Sequence, residues 1–151
     1  TTLGAASGAV AGLVAITPCA GFVGGISPII IGALAGAVCF SCLTLKTKFG
    51  FDDSLDVIAV HLIGGILGSV LLGLFADKGV NALGANGAFF GGGSHLLIQQ
   101  LLAVAVTFGF SFVVTYVVAQ ILNRTIGIRV TPEQELVGLD QSQHAEAAYQ
   151  P

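Results

Sequence analysis

The stretch Leu55-Asp-Val-Ile-Ala-Val-His61-Leu-Ile-Gly-Gly-Ile-Leu-Gly-Ser-Val-Leu-Leu-Gly-Leu-Phe-Ala76 decides the fold. Its ionisable side chains are Asp56, near the start, and His61. About 20 apolar residues in a helix cross the roughly 30 Å hydrocarbon core of a bilayer, so the stretch reads as a membrane span carrying an imidazole. Ionisable groups at that depth are rare, and they face a partner or a pathway.

The surrounding composition agrees. Hydrophobic residues make up 54% of the chain and charged residues 9%, and mean hydropathy is +0.93. An ordinary soluble domain carries roughly 25% charged residues. Four apolar stretches read as spans, over residues 3–17, 28–45, 54–76 and 96–122. The fold expected is an all-α integral membrane protein, a polytopic helix bundle. The first stretch is short and ends at Pro18, which suits the end of a longer helix or a broken, partly re-entrant one. Residues 128–151 form a polar tail. Thr1 opens directly into apolar sequence, and the chain reads as a piece of a longer protein.

Basic residues in short loops orient membrane proteins with the positive side in the cytoplasm. Lys46 and Lys48 follow the second span, Arg124 and Arg129 follow the fourth, and Lys78 lies between the third and fourth. Alternation then puts the loop around Lys46 and the C-terminal tail in the cytoplasm. The net charge of −3 comes mostly from acids in loops and tail. The chain has no basic patch of a size to hold nucleic acid.

Glycine contributes 22 residues, many at helical intervals: Gly4, Gly8 and Gly12; Gly32 and Gly36; Gly64 and Gly68; Gly65, Ser69 and Gly73. Small residues at this spacing let membrane helices approach closely. In a regular α-helix His61 shares a face with Val57, Gly64, Gly65, Gly68 and Leu72, so the histidine is expected on the side of closest helix approach. If the helix starts at Ser54, His61 lies about four residues, roughly 6 Å, from its middle. Asp53 or Ser54 can cap that helix, and Asp56 is read as a structural acid in its first turn, hydrogen-bonded to free backbone N–H groups. A neutral imidazole can donate at one nitrogen and accept at the other. Such a group can hydrogen-bond a neighbouring helix, or relay protons and small polar solutes in a narrow path.

Other motifs carry less. Cys39 and Cys42 have the spacing of a redox or zinc pair but lie in a membrane helix without further ligands, so no metal or cofactor is expected. His95, after the glycine-rich loop of residues 84–93, reads as a solvated surface histidine. An intramembrane enzyme with His61 as base would lack a nucleophile, and Asp56 falls off the histidine's face.

The chain resembles the ammonium transporter family, the Amt/Mep/Rh proteins, in its C-terminal part. The residues that carry this are Gly4-Ala-Ala-Ser-Gly-Ala-Val-Ala-Gly-Leu-Val-Ala-Ile-Thr-Pro18, Asp52-Asp-Ser-Leu-Asp-Val-Ile-Ala-Val-His61, Thr125-Ile-Gly-Ile-Arg-Val130, Glu133-Gln-Glu-Leu-Val-Gly-Leu-Asp140 and His144-Ala-Glu-Ala-Ala-Tyr149. The resemblance implies a homotrimer in the plasma membrane, each subunit having about eleven helices and its own narrow pore for ammonium or ammonia. The spans here would be the last four. His61 would match the second of two pore histidines; the first, the outer ammonium site and the phenylalanine gate would lie upstream. Gly64, Gly65 and Gly68 would pack helices beside the pore. The tail, with Gly138, Asp140, Ser142, His144 and Tyr149, would be a regulatory element that couples subunits, and a PII-type signal protein would be a cytoplasmic partner. Ser142 lies where some members carry a phosphorylatable threonine. An ammonium sensor or regulatory membrane protein is the rival reading. Two departures stand out: Leu62 replaces the glycine common after the pore histidine, with Gly64 offering space nearby, and Ala145 replaces a glycine of the tail.

Overall fold

The computed structural model describes residues 1–147; Tyr149 lies outside the described residues. The chain is all-α among those residues, and four helical segments are long and apolar enough to cross a membrane: Thr2–Cys19, Ser27–Phe49, Ile58–Phe75 and His95–Thr125. The chain divides into two units, Thr1–Thr107 and Phe108–Pro151. The division falls inside the fourth span.

In the first unit, α1 (Thr2–Ile16) passes into a 3₁₀ turn over Thr17–Cys19. Pro18 forces the change because it has no N–H for another α-helical bond. The Thr17 hydroxyl turns back and donates to the Leu13 carbonyl at 2.7 Å. Helix α2 (Ser27–Cys42) starts with Pro28 in its first turn and leads into the short α3 (Leu45–Phe49). The third span begins with a π-helical turn, Ile58–Leu62, and continues as α4 (Ile63–Phe75).

Helices α1, α2 and α4 pack together through small side chains. Ala11, Ala15 and Cys19 face Ser27, Ile31, Ala35 and Cys39, and Val60, Gly64, Gly68 and Leu71 close the third side. The three- and four-residue steps of these positions put each set on one helix face. The Cys19 thiol donates to the Gly68 carbonyl at 3.3 Å, across the α1–α4 contact. Not every small residue of the sequence pattern is used this way. A methyl group added at Gly8, Gly32, Gly36 or Gly65 would meet nothing within 4 Å, whereas at Gly73 it would come within 2.6 Å of the Leu97 backbone. Beyond α4 the glycine-rich loop folds back on the helix end, with Gly87 N–H donating to the Ala76 carbonyl at 2.7 Å.

Helix α5 (His95–Thr125) completes the fourth span and has no buried residue. In the second unit it is followed by two short helices, α6 (Pro132–Val137) and α7 (Leu139–His144). Thr131 and Gln134 cap α6 reciprocally, each side chain meeting the other's backbone N–H. This arrangement satisfies donors that a helix start otherwise leaves free. Glu133, hydrogen-bonded to its own backbone N–H and to the Thr131 hydroxyl, is held below the usual carboxylate range.

Candidate functional site

The third span does not start where the apolar pattern suggests. Asp56 takes a left-handed conformation with φ 57°, which no α-helix contains. The Val60 N–H donates to its carbonyl at 2.9 Å, and the span begins only after this kink. His61 is therefore about five residues, roughly 8 Å, from the middle of Ile58–Phe75 rather than 6 Å.

The π-helical turn also changes which side the histidine takes. A π turn spreads its residues more widely than the 3.6 per turn of an α-helix, so the register on which His61 shares a face with Gly64 and Gly68 is lost. Gly64 and Gly68 are buried against α1 and α2, while His61 and Leu62 are exposed on a side that those helices leave uncovered. A Cβ at Gly64 would lie 3.3 Å from Val14 and 3.4 Å from the Cys39 sulfur. At Gly68 it would run into the Ala15 carbonyl. Gly65 makes no such approach among the described residues, and Gly64, turned toward α1 and α2, does not offset the side chain of Leu62. The expected glycine face is thus split: Gly64 and Gly68 join helices, and Gly65 stays on the open side with His61.

The acids below this turn divide their work in a way the sequence left open. Asp53 is the cap, its carboxylate accepting from Val57 N–H at 2.8 Å and from Ile58 N–H at 2.9 Å. Asp56 makes none of the backbone contacts expected of it. Its carboxylate instead pairs with Lys46 Nζ at 2.5 Å, and the same ammonium donates to the Asp53 carbonyl at 3.1 Å. In the sequence Lys46 reads only as an orientation charge. The run of acids just before an apolar stretch was the available sign that a cation from the preceding loop would be drawn in.

His95 is exposed, and with Lys78 and Asn86 it lines an open concavity of about 270 Å³ at the start of α5. Asn86 is committed there as an acceptor for the Lys78 N–H at 2.8 Å.

In the tail, Gly138 (φ 98°) makes the corner between α6 and α7. The Ser142 hydroxyl donates to the Gly138 carbonyl at 2.8 Å and lies 3.3 Å from the Gln134 carbonyl, fastening the corner. Asp140 lies in the first turn of α7, and its carbonyl accepts from Glu146 N–H at 2.9 Å after His144 ends the helix. That closure needs a left-handed residue, and Ala145 supplies it with φ 55°. Leu136 is 89% exposed, and Val137 and Leu139 are exposed beside it.

Four apolar spans, close packing through small residues and an intramembrane histidine on an uncovered helix side define a polytopic membrane protein of α-helical type. The sequence pattern of the Ammonium Transporter Family matches residues 1–149, and the chain belongs to that family. It is 51% identical to an ammonium transporter of Bacillus subtilis (strain 168) over 151 residues, covering 99% of this chain and 37% of that protein. It is 47% identical to ammonium transporter Amt1 of Archaeoglobus fulgidus, covering 98% of this chain and 37% of the relative. The crystal structure of Saccharomyces cerevisiae Mep2 superposes with a TM-score of 0.79 at 34% identity, over 88% of this chain and 31% of that one. The chain thus spans about a third of the length of the relatives it matches.

Proposed function

We propose that this chain supplies the last four of about eleven transmembrane helices, and the cytoplasmic regulatory tail, of an ammonium transporter in the plasma membrane. The family match along the chain supports the substrate class. The observation that carries the path is the position of His61, inside an apolar span yet turned to the side that α1 and α2 leave open. An imidazole there can donate to or accept from ammonia, while a bare ammonium ion entering an apolar path loses several kcal/mol of hydration or more. Ammonium would be deprotonated at the outer mouth, and ammonia would pass His61. The remaining walls of the path would come from helices outside these residues, in a subunit of a homotrimer. The chemistry is transport rather than catalysis. The complete transporter, reconstituted into liposomes, is expected to accumulate labelled methylammonium, with ammonium competing. Ammonium binding that changes conformation without any flux would move the reading to a sensor.

The tail reading adds regulation. Leu136, Val137 and Leu139 give α6 and α7 an apolar edge suited to docking on the cytoplasmic face of the same or a neighbouring subunit, where a PII-type protein would also bind. Ser142 is a fastener of the α6–α7 corner, so modification there would act by pulling its hydroxyl from two carbonyls and adding about −1.5 to −2 charge beside Asp140. Ser142→Asp is expected to reduce uptake by an assembled transporter, and Ser142→Ala to reduce it less. Equal uptake from wild type and Ser142→Asp would remove the regulatory role.

Ala145 gives a separate check on the tail. An alanine in the left-handed region costs about 1–2 kcal/mol that glycine does not incur. Ala145→Gly is expected to stabilise the α7 end by about 1 kcal/mol, read as roughly fivefold greater hydrogen-exchange protection of the Glu146 amide. Unchanged or lower protection would show that the closure does not depend on this residue.

A further inference from the structure

The Lys46 clasp lies directly below the turn that carries His61. Lys46, in the first turn of α3, binds the Asp56 carboxylate and the Asp53 carbonyl together. The Asp53 carboxylate holds the N–H groups of Val57 and Ile58, and the Asp56 carbonyl holds that of Val60. These contacts join α3, the residues that lead into the π-helical turn Ile58–Leu62 and the first residues of that turn. Asp56 and Ala145 are the non-glycine residues of positive φ among the described residues, and at Asp56 the left-handed conformation is tied down by the ion pair.

The geometry points to Lys46 as a positioning residue for conduction: by clamping Asp53 and Asp56 it fixes the left-handed entry and the π-helical turn, and so turns His61 onto the open side of the span. Without the Lys46 ammonium, the Asp56 carboxylate loses its counter-charge and the Asp53 carbonyl loses its donor, so the link between α3 and the left-handed residue is gone. The turn is then free to relax toward regular α-helical spacing, which carries His61 back toward the buried Gly64–Gly68 side. Lys46 itself touches neither His61 nor the path. The inference rests on the proposal that His61 lines that path.

The test uses the complete transporter, with uptake expressed per assembled transporter. Lys46→Met is expected to lower the maximal rate of methylammonium uptake about tenfold at unchanged KM, while Lys46→Arg, which keeps the charge, stays within about twofold of wild type. Asp56→Asn, which tolerates the left-handed conformation but weakens the ion pair, is expected to lower the rate about threefold in the same manner and serves if Lys46→Met fails to assemble. Wild-type rates from Lys46→Met, or from Asp56→Asn where it stands in, would overturn the inference, as would equal losses from Lys46→Arg and Lys46→Met. His61→Ala, measured alongside, separates the two levels: unaltered uptake there sinks the pore reading itself, whereas impaired uptake there with unaffected clasp variants sinks this inference alone.

Discussion

Replacing His61 by Ala or Leu in the complete transporter is expected to cut ammonium or methylammonium flux by roughly fivefold to hundredfold while the protein still assembles. The size follows from leaving the passing ammonia without a hydrogen-bond partner in an apolar path, about 1–3 kcal/mol, which corresponds to roughly fivefold to hundredfold in rate. Assembly should survive because His61 is exposed on this chain, and no buried contact of the α1–α2–α4 core depends on it. The measurement is uptake and ammonium-dependent current at equal amounts of assembled protein. Wild-type values for both would show that the imidazole faces something other than the path.

Gly68→Leu is expected to cost about 1–3 kcal/mol or more by overpacking, and to lower the yield of folded protein sharply. Any side chain at this position begins with a Cβ pressed against the Ala15 carbonyl, and backbone cannot rotate aside as a side chain can. The Cys19 thiol that donates to the Gly68 carbonyl would be displaced as well. Gly65→Leu is the internal comparison, since its Cβ meets nothing within 4 Å in this chain. Thermal unfolding of the two variants should therefore differ, with Gly68→Leu much the lower. Equal loss from both would mean that Gly65 meets a second surface as tight as the one at Ala15.

The contrast between these two glycines shows how far periodicity reaches. Apolar length and composition were enough to place four membrane helices, because in a bilayer each backbone group must be bonded within its own segment and helices are the solution open to a long apolar run. The break at Pro18 was also legible, and the cap was narrowed to Asp53 or Ser54, since both follow from local chemistry. Family membership could be read from strings spread along the chain.

Length, hydropathy and local strings of residues therefore establish the solvent, the helices, the family and the presence of one imidazole within the third span. The tertiary structure decided which way that imidazole turns. A regular helix puts His61 with Gly64 and Gly68; the left-handed Asp56, paired with Lys46 of α3, lies before the start of the span, and the π-helical turn separates the histidine from those glycines. Helical periodicity assumes a constant rotation per residue, and here an ion pair from α3 to the residues before the third span accompanies a turn that breaks it. Such a pairing depends on how α3 and the third span meet in space, and no local pattern of residues encodes that meeting.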